Sequence, residues 1–194
     1  MANLPVLGTH RNIASCGDLE LAVPECPKGI GSVIGSPTSA DLISGVRIQP
    51  LSLYPDDRGY FLEVQRIGVG LAAAFPPATT QVSAALSYPG TVKAFHFHLE
   101  QHDYWSPVKG MLQVVLMDLR VSSPTFGARN TMYVGELRPW QILIPPGVAH
   151  GYKVIGPDEA LLVYLTDRFY NPKDEGRIPH NDPGINYDWE TQHK

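Results

Sequence analysis

The sequence predicts an all-β fold, a double-stranded β-helix or jelly-roll barrel, preceded by an irregular N-terminal arm. From residue 46 onward, short runs of β-prone residues are separated by Gly, Pro, Asp and Asn, which is typical of a sandwich or barrel. Only residues 67–74 favour a short helix, and no repeat at solenoid spacing is present. A closed barrel removes exposed strand edges, so it accommodates many short strands.

The β-prone runs follow one another at turn-forming residues. Gly59 opens the second run, Gly90 precedes the fourth, and Gly110 separates the fifth from the sixth. The Pro145-Pro146-Gly147 turn separates the eighth run from the ninth. The runs cover residues 46–53, 59–66, 79–86, 92–98, 103–108, 111–118, 131–137, 141–144, 150–154 and 161–166.

The length of 194 residues favours one domain with an extension. Residues 1–45 are rich in Gly, Pro and Ser and show no sustained periodicity, so we expect a loop-like arm there. Residues 46–190 form the predicted barrel domain. We expect the arm to lie on the barrel or on a second subunit.

Charge and hydropathy exclude several classes of partner. The formal net charge is -4 and no basic run is present, so nothing indicates electrostatic binding to nucleic acid or to an anionic membrane. The first twelve residues lack a charged region followed by an apolar stretch, and no window approaches the apolar length of a membrane span. We therefore expect a cytoplasmic protein without a membrane or nucleic-acid partner.

The histidines of the run at residues 92–98 are the strongest chemical signal. Alternation along a strand places Ala94, His96 and His98 on one face. Lys93, Phe95 and Phe97 lie on the other face. The spacing of Gly90, His96, His98, Asp103 and Gly110 reproduces the first motif of the cupin superfamily, with Asp where Glu is usual. The turn that ends at His150 resembles the second motif.

This histidine pattern leaves two chemical interpretations open. Two imidazoles on one strand, a facing imidazole and a carboxylate form a ligand set suited to a divalent metal, here His96, His98, Asp103 and His150. The same imidazoles without a metal serve in proton transfer, because an imidazole titrates near neutral pH.

From about residue 49 to residue 189, the chain resembles the dTDP-4-dehydrorhamnose 3,5-epimerase family of cupins. The segment at residues 57–63 is similar to the family's early Asp-Glu-Arg-Gly-Phe-Phe-x-Glu segment. Four further blocks follow in the family's order. They lie at residues 122–127, 144–151, 164–167 and 181–185. The chain is thereby identified as a divergent member of this family.

The resemblance implies an isomerase that inverts C3 and C5 of a 4-keto-6-deoxy sugar attached to dTDP. The ketone acidifies the neighbouring C–H bonds, so the reaction needs a base on one face and an acid on the other, and no cofactor. By resemblance, His96 is the base and Tyr164 the acid. The positions that match substrate contacts are Arg58, Glu63, Gln81, Lys93 and His150, with Lys93 where the family carries Arg.

Some residues depart from the family's pattern. Asp103 stands where the family carries Lys, and His98 where it carries Gln. The family's C-terminal tail supplies an Asp that pairs with the base histidine, and this sequence ends at Lys194 without a counterpart. These substitutions leave two interpretations open. Either the histidine cluster binds a divalent ion, or the chain is an epimerase in which the pairing of the base histidine with a carboxylate is altered.

Three functional hypotheses follow. The first is an isomerase acting on a nucleotide-linked keto sugar. The second is a metal-dependent cupin enzyme acting on another small molecule, in which His98 is essential. The third is a cupin that binds a sugar nucleotide without catalysis. For each of them we expect a homodimer, because cupin barrels often pair through an edge strand or an N-terminal arm.

Overall fold

A computed structural model of the chain describes residues 10–191, and almost all regular structure in this range is β-strand. A 3-10 turn lies at Gly70–Ala72. The strands are β1 His10–Cys16, β2 Leu19–Pro24, β3 Ser32–Val33, β4 Arg47–Pro50, β5 Tyr54–Asp56, β6 Gly59–Phe61, β7 Gln81–Ser87, β8 Val92–His98, β9 Asp103–Lys109, β10 Met111–Asp118, β11 Arg129–Gly135, β12 Trp140–Ile144, β13 Val148–Ile155, β14 Ala160–Thr166 and β15 Glu175–Arg177.

Two sheets form the barrel, as the jelly-roll prediction requires. The six-stranded sheet has the order β15-β8-β13-β10-β11-β3, and the five-stranded sheet has the order β4-β12-β9-β14-β7. All pairs are antiparallel except β11 with β3. β1 and β2, and also β5 and β6, form separate two-stranded hairpins. The predicted strands at residues 92–98 and 111–118 agree with β8 and β10 residue for residue.

The strand β10 shows how the barrel is buried on both faces. Val114 and Leu116 pack between the sheets with residues of the five-stranded sheet such as Ile142. Val115 and Met117 alternate with them and face the outer side of the six-stranded sheet, where they are also fully buried. Each such aliphatic side chain contributes about 1.5–3 kcal/mol when it is buried, so covering the outer face stabilises the fold substantially.

The cover on that outer face comes from both ends of the described chain. Leu21 and Val23 of β2 and Tyr187 near the C-terminal end pack against it, and the Ala22 amide donates to the Leu119 carbonyl. The expectation of a loop-like arm is therefore wrong for residues 10–24, which form a hairpin. The apolar residues of the hairpin pack against a sheet face that exists only in the folded barrel. The local sequence therefore did not reveal the hairpin.

Two further expectations on local structure need correction. The predicted helix at residues 67–74 is only the 3-10 turn, because Gly68 and Gly70 adopt φ values of +80° and +60° that an α-helix excludes. The predicted strand at residues 59–66 ends at Phe61. Among residues 10–191, no helix has the length and apolar character needed to cross a membrane.

Candidate active site

A cavity of about 320 Å³ opens inside the barrel, at the lower end of the size range for small-molecule sites. Both sheets contribute to its wall. β8, β13 and β15 come from the six-stranded sheet, and β7, β9 and β14 from the five-stranded sheet. The lining side chains are Gln81, Ala85, Lys93, His96, His98, Gln101, Asp103, Trp105, His150, Tyr152, Leu162, Tyr164, Thr166, Tyr170, Glu175 and Arg177.

β8 presents His96 and His98 to the cavity as its alternation predicts, but Lys93 lies on the same wall. Ala94 instead packs against the outer cluster. The reason is a register shift between β8 and β13: His150 pairs with His96, yet Tyr152 pairs with Lys93. One extra residue on β8 reverses the alternation. The sequence-based faces of Lys93 and Ala94 are therefore exchanged.

His96 is held by a carboxylate from β15. Its Nδ1 lies 2.9 Å from Oε1 of Glu175, and because a carboxylate only accepts, the ring nitrogen donates. Arg177 donates from Nε to the same oxygen at 2.8 Å. Burial lowers the pKa of His96, while Glu175 acts in the opposite direction. The ring is therefore favoured in its neutral form.

Asp103 forms the centre of a buried polar cluster. Its Oδ2 accepts from Trp105 Nε1 at 3.1 Å and lies 3.4 Å from His150 Nε2, while its Oδ1 accepts from Gln101 Nε2 at 2.7 Å. Burial alone would raise the pKa of Asp103, but its interactions with His150, His98 and Gln101 outweigh burial and lower the pKa to about 2. The carboxylate is therefore charged at neutral pH.

Three of the four proposed metal ligands converge in this cluster. One ligand atom each from His98, Asp103 and His150 lies within 4.8 Å of the others, whereas His96 bonds to Glu175 and is outside this group. The Gln101 amide lies between them, 3.2 Å from His98 Nε2. His98 Nδ1 is buried without a hydrogen-bond partner among the described residues.

The opposite wall comes from the five-stranded sheet. Tyr164 and Gln81 project from β14 and β7, whose register pairs Thr166 with Gln81. Trp105 is the cross-strand partner of Tyr164 and contacts the His150 ring edge-on, with the ring centroids 5.1 Å apart. Trp105 therefore contacts His150 of the other sheet with its ring and lies opposite Tyr164 within its own sheet.

Two residues expected to contact substrate lie outside this cavity. Arg58 is exposed on the β5–β6 hairpin and pairs with Asp56. Glu63 pairs with Arg66 through a short contact, also at the surface. Any contact they make with a ligand must therefore occur away from this chain's own cavity wall.

The sequence reasoning missed the contribution of β15. Asp174, just before this strand, accepts backbone hydrogen bonds from Leu99, Glu100 and Gln101 and so fixes the turn between β8 and β9. Glu175 then reaches His96. A three-residue strand is too short to be recognised from a sequence pattern. No motif distinguished Glu175 from the other carboxylates of the sequence.

The barrel and its cavity define a class of protein. An imidazole whose Nδ1 is held by a carboxylate and a tyrosine line one small cavity from opposite sheets, and groups of these two types are suited to proton transfer. The fold and site together are those of a cupin-type acid–base isomerase.

Comparison with known proteins identifies the family. The model of the dTDP-4-dehydrorhamnose 3,5-epimerase family matches residues 41–194. The spore coat polysaccharide biosynthesis protein SpsL of Bacillus subtilis (strain 168) is 44% identical over 153 residues, which are 78% of this chain and 99% of SpsL. The chain belongs to the dTDP-4-dehydrorhamnose 3,5-epimerase family, which confirms the assignment made from the sequence blocks.

Solved structures agree with this assignment. The dTDP sugar isomerase from Desulfovibrio desulfuricans G20 superposes with a TM-score of 0.69 at 26% identity, over 76% of this chain and 92% of that one. ChmJ, a 3'-monoepimerase from Streptomyces bikiniensis solved in complex with dTDP-quinovose, gives a TM-score of 0.64 at 28% identity, with 74% of both chains covered. The predicted cupin jelly roll and the sugar-nucleotide epimerase class are therefore confirmed.

Proposed function

We propose that this enzyme inverts a carbon next to the ketone of a nucleotide-linked 4-keto-6-deoxy sugar, with His96 as the base and Tyr164 as the acid. The observation that carries the proposal is their placement: the two side chains line one cavity from opposite sheets. A sugar ring between them would meet a base on one face and an acid on the other.

The proton transfers balance without a cofactor. His96 Nε2 takes the proton from the carbon next to the ketone, and the bonding electrons move into an enolate on the ketone oxygen. Tyr164 then gives its hydroxyl proton to the opposite face of the carbon as the enolate collapses to the ketone. Exchange with solvent restores both side chains.

Substrate binding would divide between the cavity and its mouth. A cavity of about 320 Å³ holds a hexose, so the nucleotide must lie toward the opening. Lys93 and Arg177 both line the cavity and are largely exposed, which suits them to a diphosphate. Gln81 and His150 line the sugar end by this proposal.

Turnover of dTDP-4-keto-6-deoxy-D-glucose tests the proposal. His96→Asn should lower kcat by at least about 100-fold, the usual contribution of a positioned general base. His102→Asn is the matched control, since His102 pairs with Asp167 and does not line the cavity, and it should retain near wild-type turnover. Wild-type turnover in His96→Asn, or tight binding of dTDP with no turnover by the wild type, would contradict the assignment.

A metal-dependent cupin activity is the second candidate, and one observation favours it. His150 Nε2 and His98 Nε2 lie 3.4 Å and 3.7 Å from the two Asp103 oxygens, close to the spacing of ligands around a tetrahedral ion with bonds of about 2.0–2.2 Å. Gln101 would have to leave the position in which its amide satisfies Asp103. The arrangement therefore fits an ion only after Gln101 moves.

Metal analysis separates the two candidates. In protein purified without added metal or chelator, the isomerase proposal expects little bound metal with full turnover, and a tolerant His98→Gln variant. A stoichiometry near one ion per chain, lost together with activity in His98→Gln, would support the second candidate instead.

We also propose that the protein acts in the cytoplasm as a homodimer, paired through β7. β7 is an edge strand of the five-stranded sheet, and its outward side chains Val82 and Leu86 and the neighbouring Tyr88 are 61%, 51% and 71% exposed. An apolar edge strand of this kind favours pairing with another chain.

Sedimentation of a Val82→Asp, Leu86→Asp variant tests the interface, because two buried charges disrupt an apolar contact. We expect monomers where the wild type sediments as a dimer. A dimer that survives these changes would contradict pairing through β7.

A further inference from the structure

We infer that Glu175 is the positioning residue that fixes the tautomer and ring orientation of His96, an inference that rests on the proposed role of His96 as the base. The carboxylate lies on β15, which pairs with β8 so that Glu175 is opposite His98 and Arg177 is opposite His96. Glu175 is thus the diagonal neighbour of His96 across the two strands, and its side chain reaches the His96 ring.

The contact between Glu175 and His96 involves a largely buried carboxylate and is not a surface ion pair. The Glu175 side chain is only 11% exposed, compared with 37% for His96. Its Oε1 accepts from His96 Nδ1 at 2.9 Å and from Arg177 Nε at 2.8 Å. The guanidinium fixes the carboxylate from the other side, so its orientation toward His96 is determined at both ends.

This geometry selects the useful tautomer of His96. With Nδ1–H donated to an acceptor that has no proton to give, the neutral ring carries its lone pair on Nε2. Nε2 is then the atom that takes the carbon-bound proton. After transfer, Nδ1–H stays on the ring and Glu175 stabilises the imidazolium through its charge, without taking a proton itself.

The electrostatic effects on His96 are opposed. Burial and the neighbouring His150 lower the pKa of His96, and Glu175 raises it. Burial would raise the pKa of Glu175, but Arg177 and His96 outweigh burial and keep it below its usual value. Glu175 therefore remains charged at neutral pH and accepts the hydrogen bond from His96 Nδ1 as a carboxylate.

Two variants separate the charge from the hydrogen bond. Glu175→Gln keeps the shape and an accepting oxygen but loses the charge. Glu175→Ala loses both. Glu159→Gln is the matched control, because Glu159 also forms a carboxylate ion pair, with Lys109, but does not line the cavity. His96→Asn provides the reference for loss of the base itself.

The split between kcat and KM is the first readout, because Glu175 is proposed to hold the base and not the substrate. In Glu175→Gln, kcat should fall roughly tenfold or more with little change in KM. Glu175→Ala should fall further. Glu159→Gln should follow the wild type in both respects.

The ring-nitrogen NMR shifts of His96, assigned by comparison with His96→Asn, are the second readout and need no substrate. The wild type should show a protonated Nδ1 and an unprotonated Nε2, and Glu175→Ala a mixture of tautomers. Wild-type kcat and tautomers in both Glu175 variants, with His96→Asn inactive, would overturn this inference and leave the proposed function standing. Turnover in His96→Asn would overturn both.

Discussion

Replacing Gly176 by Ala should damage both stability and catalysis, because β15 has no room for a side chain at this position. A Cβ atom on Gly176 would lie 2.0 Å and 2.4 Å from ring carbons of Phe97, well inside the contact distance of about 3.5 Å between carbon atoms. Phe97 is 6% exposed and packs within the outer cluster. Either the ring or the strand must therefore move by more than about 1 Å.

Overpacking of this kind costs about 1–3 kcal/mol. For a chain of this size, each kcal/mol lowers the melting temperature by about 2–4 °C, so Gly176→Ala should melt about 2–12 °C below the wild type. Turnover should fall as well, because Glu175 and Arg177 flank the displaced position. Thermal unfolding followed by circular dichroism, together with kcat at 25 °C, measures both effects.

Gly35→Ala is the matched control, because a Cβ there meets nothing within 4 Å and the change should stay within about 0.5 kcal/mol. Phe97→Leu should relieve part of the clash, so the double variant with Gly176→Ala should lose less stability than the sum of the two single changes. A Gly176→Ala protein that melts with Gly35→Ala, or strictly additive losses, would refute the reasoning.

Three further outcomes are expected. The pKa of Asp103 is lowered from 3.8 to about 2, so its ionised form contributes roughly 2 kcal/mol to the free energy of unfolding. This contribution is fully present above about pH 4 and is lost as the pH falls toward about 2. Measurement of the free energy of unfolding against pH should show this loss in the wild type and not in Asp103→Asn. Tyr187→Phe should lower the free energy of unfolding by about 1–3 kcal/mol in urea, since Gln113 and Thr131 both bond its hydroxyl at 2.8 Å; an unchanged midpoint would contradict this. Lys93→Met should raise KM for the nucleotide sugar roughly tenfold with little change in kcat, and an unchanged KM in steady-state assays would exclude Lys93 from binding.

The barrel was predictable because its strands carry their own signals. β8 and β10 follow Gly90 and Gly110, and β-branched or aromatic residues recur along both, so both strands were placed correctly from the sequence. The hairpin at residues 10–24 and the short β15 depend on a sheet that must form first. Tertiary contacts decide such elements, and local propensity does not.

The candidate site was predictable as a set of residue types and less so as an arrangement. His96, His98 and His150 share one cavity, as motif spacing and alternation indicated, and Tyr164 lines it as the family resemblance implied. Lys93 reached the same wall through a register shift that sequence alternation cannot show. Glu175 lies far along the chain from His96, and only the strand pairing reveals the contact.

Deuterium incorporation from heavy water tests the central claim, that His96 and Tyr164 act on opposite faces of one sugar carbon. With a dTDP-4-keto-6-deoxyhexose in D₂O, proton NMR should show that the wild type both exchanges and inverts the carbon next to the ketone. Tyr164→Phe should still exchange that position while inversion falls at least about tenfold, and His96→Asn should lose both. Exchange at the wild-type rate in His96→Asn, or full inversion in Tyr164→Phe, would contradict the account.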